Sequence, residues 1–154
     1  MHHTDALIIA LRTVFPSITV SPEAERGWHA AIALAAEQIP GAASLLFEHG
    51  LALSFITAVH VRPRCELVYH FVRWEDAFRI VLHLPVPENN TVPSIAEIYH
   101  GAAWHEREIG EFFGIVFSNH PGLKPLLLTR EEKGLCPLLR SDSLLQSREN
   151  VLIW

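Results

Sequence analysis

The sequence predicts an α+β fold in which N-terminal helices pack on a small, mostly antiparallel sheet, followed by a helical motif segment and an extended C-terminal tail. Two observations predict it. Apolar residues near the N-terminus recur at helical spacing, and three runs rich in Val, Ile, Leu and aromatic residues follow in mid-chain. The 154 residues are enough for one domain with a sizeable core.

The N-terminal part predicts two helices and a short strand. Residues 5–15 carry apolar side chains three or four positions apart, and Pro16 ends this helix. Ile18-Thr19-Val20 is a short strand candidate. Ser21, followed by proline and two acidic residues, predicts the start of a second helix. This helix is expected to run through an Ala-rich stretch and to end at Pro40-Gly41.

The middle of the chain predicts an antiparallel meander. Short turn sequences separate three apolar runs, at residues 51–61, 66–72 and 78–84. Residues 73–77 suit a hairpin, and the proline-containing stretch 85–90 cannot continue a sheet. The domain is predicted to cover residues 1–142, with a C-terminal tail at 143–154.

Composition leaves open whether the apolar residues are buried in a deep core or against a partner, and it argues against other classes of protein. Hydrophobic residues make up 49% and charged residues 19% of the chain, which suggests that part of the surface is buried against another protein, although a deep core would give the same balance. The net charge of −5 and the absence of a basic stripe argue against nucleic acid binding. The apolar run at 51–61 is too short for a membrane span, so we expect a soluble chain or one held at a membrane through partners. Cys65 and Cys136 are expected to be free thiols.

Residues 92–128 are the most informative segment. Ser94 and Glu97 have the spacing of a capping box, which predicts a short helix. Gly101 is expected to separate it from a second helix at residues 102–113, and Gly114 is expected to cap that helix at its C-terminus.

The second helix has a charged face beside an apolar one. At 100° per residue, Trp104, Arg107, Glu108 and Glu111 fall within an arc of about 100°. A solvated face stabilised by weak i,i+4 pairs is one interpretation. The other is an interface in which these side chains pair with the charges of a partner.

Catalytic interpretations find little support in this segment. His105-Glu106 begins an H-E-x-x-H zinc motif, but Ile109 stands where the second histidine is required. Glu106, Glu108 and Glu111 leave open a stand-alone hydrolase that uses paired carboxylates.

A metal site formed by histidines from the strands is also not expected. His60, His70 and His83 lie on three neighbouring predicted strands. If Val72 pairs with Phe78 across the hairpin, His83 falls on the opposite sheet face from His70, which would prevent a shared metal site.

The motif segment resembles the 30 kDa subunit family of respiratory NADH dehydrogenase (complex I), which includes the C subunit of the bacterial NADH-quinone oxidoreductase and related subunits of energy-converting membrane-bound [NiFe] hydrogenases. The family core E-R-E-hydrophobic-x-D-x-[FY]-G-I is matched by residues 106–115, and its G-H-P-x-L-R segment by residues 119–124. Three departures stand out: Glu111 replaces Asp, Asn119 replaces Gly, and Lys124 replaces Arg. The closing G-x-P-L-R-K-D is similar to residues 134–142.

The resemblance implies a non-catalytic structural subunit in the hydrophilic arm of a complex-I-like NADH/quinone oxidoreductase, or the equivalent subunit of a membrane-bound hydrogenase. It implies that this subunit itself holds no flavin, no iron–sulfur cluster, no nucleotide and no metal; iron–sulfur clusters and flavin or NiFe are expected in partner subunits. The implied partners are the large subunit related to [NiFe] hydrogenases and the iron–sulfur subunits, on the cytoplasmic side of the plasma membrane, without a membrane span. Self-association of the isolated chain is also expected to be possible. The predicted partner-interface residues are Trp104, Glu106, Arg107, Glu108, Glu111, His120, Lys124 and Arg140.

Overall fold

A computed structural model describes residues 2–20 and 27–151 as an α+β fold, as the sequence predicts. The helices are α1 (His2–Val14), α2 (Ile39–Glu48), α3 (Ala102–Phe113) and α4 (Arg148–Val151). The strands are β1 (Ile18–Val20), β2 (Ala30–Ala33), β3 (Ala52–His60), β4 (Cys65–Arg73), β5 (Phe78–Pro85), β6 (Thr91–Pro93) and β7 (Val116–Ser118). No helix among the described residues is long and apolar enough to cross a membrane.

The main sheet has five strands in the order β1-β2-β5-β4-β3. The predicted meander is confirmed, since β3, β4 and β5 pair antiparallel; β2 then joins β5 in parallel. Alternation along β4 directs Leu67, Tyr69 and Phe71 into the main core, where apolar residues of α1, α2 and α3 cover this sheet face. Glu66 and His70 point to the opposite face.

The predicted second helix is wrong within the described residues. Residues 30–33 form β2, and the helix lies later, at residues 39–48; the predicted start at 21–26 lies outside the described residues. Ala30, Ala31 and Ile32 are all buried, and a strand buried on both faces gives a continuous apolar run that periodicity does not distinguish from a helix. Pro40 lies in the first turn of α2, where a missing N–H is tolerated, instead of ending a helix.

The helix predicted at residues 102–113 is confirmed as α3. Gly114 adopts a left-handed conformation with φ of 70°, and its N–H donates to the Gly110 carbonyl at 3.1 Å. The short helix expected before it is a single turn, in which the Tyr99 N–H donates to the Ile95 carbonyl at 2.9 Å. No sequence pattern predicted β6 and β7, which pair in parallel on either side of α3 in the chain.

Residues 123–144, here called the arm, are mostly exposed and contain no helix or strand except a short 3-10 turn at Asp142–Leu144. After the arm the chain returns to the sheet, because Leu145 is buried and its carbonyl accepts bonds from Nε and Nη2 of Arg62 at 3.0 and 2.6 Å. Within the segment predicted as a tail, Leu145 and Arg148 are therefore bound to the rest of the fold, through Arg62 and through Glu66 of β4. Residues 152–154 lie outside the described residues.

Candidate functional site

The N-terminal half of α3 is anchored by a buried carboxylate. Glu106 is fully buried, and its two oxygens accept bonds from the Ser94 hydroxyl, at 2.5 Å, and from the Ile95 N–H, at 2.8 Å. The Ser94 hydroxyl oxygen also accepts the Ala96 N–H at 3.1 Å. Ser94 therefore caps the turn as predicted, but its carboxylate partner is Glu106, whereas Glu97 is exposed.

His120 ties the following turn to the same helix. Its Nε2 lies 3.2 Å from the Ala103 carbonyl and 3.8 Å from Glu106, while its Nδ1 accepts the Gly122 N–H at 2.9 Å. These contacts suit the tautomer with hydrogen on Nε2. Burial raises the pKa of Glu106, and the bonds from Ser94 and Ile95 and the nearby His120 only partly offset it.

The C-terminal half of α3 holds the start of the arm through backbone atoms. Arg107 donates from Nε to the Lys124 carbonyl and from Nη2 to the Pro125 carbonyl, each at 2.8 Å. One turn later, Glu111 accepts the N–H groups of residues 126, 127 and 128 at 2.6, 2.8 and 3.4 Å. These two side chains form what we call the backbone clamp.

The clamp favours the ionised form of Glu111. Desolvation raises its pKa, but the three backbone N–H donors and the positive charge of Arg107 outweigh this effect and leave the pKa below its ordinary value. Lys124, whose carbonyl is held by Arg107, is itself exposed.

The outward surface of α3 is formed by an aromatic and a carboxylate. Trp104 is 63% exposed, and the Arg107 guanidinium lies over its ring, 5.3 Å from the centroid. Glu108 is exposed. Trp104 and Glu108 can therefore reach a partner without displacing any bond of the clamp.

The predicted interface residues thus fall into three groups. Glu106 and His120 are internal, because burial and bonds to neighbouring segments keep them from the surface. The clamp residues hold the arm. Trp104, Glu108, Lys124 and Arg140 are exposed, and the backbone N–H of Arg140 donates to Nδ1 of His60 at 3.0 Å. Their contact with a partner stays a prediction.

The same positions bear on the hydrolase alternative. Glu106 is buried inside the fold, Glu108 is exposed to solvent, and Glu111 is bound to three amides of the arm. The three carboxylates therefore do not converge on one site. The structure does not favour paired-carboxylate chemistry here.

A buried cluster of charges on the far face of the sheet was not predicted. Arg148 donates from Nε and Nη2 to the two oxygens of Glu66, each at 2.9 Å, and His83 lies 3.0 Å from the same carboxylate. Burial raises the pKa of Glu66, but the bonds and charges of His83 and Arg148 outweigh it, so the pKa is lowered. Glu66 and Arg148 are 82 positions apart, and no sequence pattern links them.

The predicted strand register for the histidines is wrong by one residue. Val72 pairs with Arg79 and His83 with Val68, so His70 and His83 share a sheet face, while His60 pairs with Cys65 on the other. Among residues 2–20 and 27–151, no group of three His, Cys, Asp or Glu side chains is placed to hold a metal ion.

The fold and the site together define an α+β protein with a motif helix that is anchored by internal hydrogen bonds and with an exposed apolar arm. The family model for the respiratory-chain NADH dehydrogenase 30 kDa subunit matches residues 32–149. The chain therefore belongs to that family, as the motif resemblance predicts.

Curated relatives carry names from two kinds of oxidoreductase. The C subunit of the NADH-quinone oxidoreductase of Roseiflexus castenholzii is 44% identical over 73 residues, which are 47% of this chain and 42% of the relative. The C subunit of the F(420)H(2) dehydrogenase of Methanosarcina mazei is 35% identical over 96 residues, 62% of this chain and 60% of the relative. The chain thus spans less than two thirds of either relative.

Two solved structures share the fold. The trypsin-resistant fragment (1-134) of Nqo5 is 26% identical with a TM-score of 0.63, over 80% of this chain and 100% of the fragment. A chain of the membrane-bound sulfane sulfur reductase, an archaeal respiratory membrane complex, is 23% identical with a TM-score of 0.75, over 87% of this chain and 82% of that chain. The second likeness concerns the fold alone.

Proposed function

We propose that this chain is a non-catalytic structural subunit in the hydrophilic arm of a complex-I-like NADH/quinone oxidoreductase. It docks on the large subunit related to [NiFe] hydrogenases and thereby supports electron transfer to quinone. Family membership supports the type of assembly. The exposed residues at 123–144 support the docking role.

Residues 123–144 of this chain, defined above as the arm, expose several large apolar side chains. Leu123, Leu127, Leu135, Leu138, Leu139 and Leu144 are each between 43% and 66% exposed. Exposed apolar side chains grouped on one segment are typical of a surface that a partner buries. This observation carries the proposal.

The clamp makes the arm suitable for docking. Because Arg107 and Glu111 bind the backbone of residues 124–128, Leu127 faces outward on a segment whose chain is already ordered. A segment that is ordered before association loses less conformational entropy when it binds. Trp104 supplies an aromatic anchor of the kind that dominates interface energies.

The redox groups belong, in this proposal, to other subunits. Iron–sulfur clusters are held by sets of cysteine thiolates, and the two cysteines of this chain lie apart, Cys65 in β4 and Cys136 in the arm. One relative is named for NADH and another for F(420)H(2), which fits a subunit that does not choose the electron donor. The chain is then peripheral, held on the cytoplasmic side of the membrane by the large and iron–sulfur subunits.

The test replaces arm leucines by charge. We expect Leu127→Asp with Leu135→Asp to reduce co-purification with a tagged large subunit by at least about tenfold, since two buried leucines contribute more than about 1.4 kcal/mol. Ile9, 66% exposed on α1, offers a matched control, and Ile9→Asp is expected to assemble normally. Melting of each isolated variant checks folding.

The α3 surface is tested in the same assay. Trp104→Ala with Glu108→Ala is expected to weaken co-purification while leaving the melting temperature of the isolated chain nearly unchanged, because both side chains are exposed and neither takes part in the core or in the hydrogen bonds of the clamp. If the arm variant and the α3 variant both assemble with unchanged quinone reduction, the docking proposal is wrong.

A further inference from the structure

The sheet face opposite the main core carries a second polar surface. Its centre is covered by an apolar cluster that includes Val68 and Val81. Beside this cluster lie Phe55, His70 and Arg79, which we call the Arg79 surface. Phe55 pairs with His70 across β3 and β4, and their rings stack with centroids 5.1 Å apart. Arg79 lies diagonally from His70 on β5, within reach of a long side chain.

Arg79 is a half-buried cation for which the described residues supply no counter-ion. Its Nε is buried and has no hydrogen-bond partner in this part of the chain, and no carboxylate there forms an ion pair with it. Asp76, in the adjacent hairpin, is held by Arg73 through two bonds of 3.0 and 2.7 Å. A partly desolvated guanidinium without a partner is unfavourable, so the site is complementary to an anion.

His70 adds a second unsatisfied group. Its Nδ1 is also buried, and residues 2–20 and 27–151 offer it no hydrogen-bond partner. Burial and the positive charge of Arg79 lower the pKa of His70, so near neutral pH it offers a neutral ring rather than a second cation. One fixed positive charge next to one neutral polar ring balances the single charge of a carboxylate, whereas a phosphate carries about two negative charges.

Two exposed aromatic residues, one in the Arg79 surface and one in the hairpin that precedes β5, favour a protein partner. Phe55 is 41% exposed, and Trp74, in the hairpin that joins β4 to β5, is 77% exposed. Aromatic residues and arginine are the types enriched at protein interfaces. A small free anion would leave these rings exposed.

We propose that the Arg79 surface binds an aspartate or glutamate side chain of a neighbouring subunit. The proposal rests on the proposed function, because it requires an assembly. It adds a second contact on the sheet face opposite to α3, so the chain is held from two sides.

Zero-length carbodiimide cross-linking of the assembled complex tests this contact. Arg79→Lys keeps the charge and introduces an amine that couples to a carboxylate only when the two are in direct contact. We expect mass spectrometry to find a peptide that joins position 79 to an acidic residue of another subunit. The matched control is Arg64→Lys, which is expected to couple within the chain to Glu88, since Arg64 and Glu88 form an ion pair of 3.1 Å.

The outcomes separate the two proposals. If the unmodified chain does not co-purify with the large subunit, the proposed function is contradicted. If the complex assembles and the Arg64→Lys control couples, the absence of a product at position 79, or a product within the same chain, overturns the Arg79 contact alone. Equal melting temperatures of wild type and Arg79→Lys exclude a folding defect.

Discussion

Glu66 and Glu106 are two buried glutamates whose pKa values are shifted in opposite directions. Burial acts on the two pKa values in the same way, but the neighbouring residues do not. Both side chains are at most 1% exposed, and burial raises the pKa of each. Glu66 receives two bonds from the Arg148 guanidinium, and its pKa ends below the ordinary value. Glu106 receives bonds from a hydroxyl and an amide, and its pKa ends above it. The hydrogen bonds from His83 and Arg148 and the positive charge of Arg148, not the depth of burial, lower the pKa of Glu66.

The two glutamates also join different parts of the chain. Glu66 connects β4 to a helix 82 positions later, whereas Glu106 connects α3 to a turn only 11 and 12 positions earlier. The contact of Glu66 with Arg148 joins segments far apart in the sequence, whereas the contacts of Glu106 orient α3 against the turn that precedes it. The same substitution at each position should therefore have different effects.

The largest expected effect comes from Glu66→Gln compared with Glu106→Gln. Glu66→Gln leaves Arg148 and His83 without their carboxylate, and we expect a loss of about 2–3 kcal/mol in the free energy of unfolding at pH 7. Glu106→Gln keeps an acceptor for the Ile95 N–H and is expected to lose less than about 1 kcal/mol. Urea denaturation measures both.

A matched variant checks the cause. Arg148→Met removes the cation but keeps much of the apolar stem, and it should destabilise the protein to a similar degree, because Glu66 is then buried without its main partner. Equal losses for Glu66→Gln and Glu106→Gln would contradict the distinction between the two sites.

The pH dependence of stability should have opposite signs at the two sites. The lowered pKa of Glu66 stabilises the fold above the unfolded value, about 4.3, and this contribution is lost as pH falls through the folded pKa. The raised pKa of Glu106 gives a contribution that is full below about 4.3 and is lost as pH rises through the folded pKa.

The melting temperatures of wild type and both variants, measured at on the order of ten pH values between about 3.5 and 8, test these opposite pH dependences. The deficit of Glu66→Gln relative to wild type should shrink in acid. The deficit of Glu106→Gln should instead shrink as pH rises. If the deficits of the two variants change with pH in the same direction, the pKa shifts of Glu66 and Glu106 do not have opposite signs.

A smaller and local effect is expected at the partly exposed Glu111. Glu111→Gln weakens three backbone bonds to the arm but touches no core residue. We expect faster trypsin cleavage after Arg130 or Lys133, both exposed, with a change in unfolding free energy below about 1 kcal/mol. Glu108→Gln, one turn earlier and exposed, is the control and should leave cleavage unchanged.

The smallest expected effect is that of Asn119→Gly, at the position before His120. Asn119 has φ of 60°, a conformation in which glycine is favoured and asparagine tolerated. Asn119→Gly is expected to be nearly neutral, while Asn119→Ala is expected to lose about 1 kcal/mol. Thermal unfolding compares them, and a stable Asn119→Ala would show that the turn relaxes without disturbing the contact of His120 with Ala103.

Sequence patterns within a few residues were sufficient to predict the parts of the fold that depend on neighbouring residues in the chain. The bounds of α3 and its cap at Gly114 follow from helical spacing and from the left-handed conformation that glycine permits. The stretch at 30–33 was mistaken for helix because alanine fits either structure, and pairing with β5 decides between them.

The site was harder to predict because its bonds involve distant or backbone groups. Helical geometry placed Arg107 and Glu111 one turn apart, but it did not show that they bind the main chain of the arm. The contact of Glu66 with Arg148 depends on where the chain returns after residue 145, which no pattern in the sequence indicates.

The backbone clamp has a consequence for how the arm can evolve. The hydrogen bonds that Arg107 and Glu111 make with residues 124–128 all involve backbone carbonyl and amide groups, and apart from the lost N–H of proline every residue type presents these groups alike. The side chains at residues 126–128 can therefore change with the surface they cover, while these backbone bonds are kept. The same backbone arrangement can thus be kept while side chains at these positions change together with the sequence of a partner.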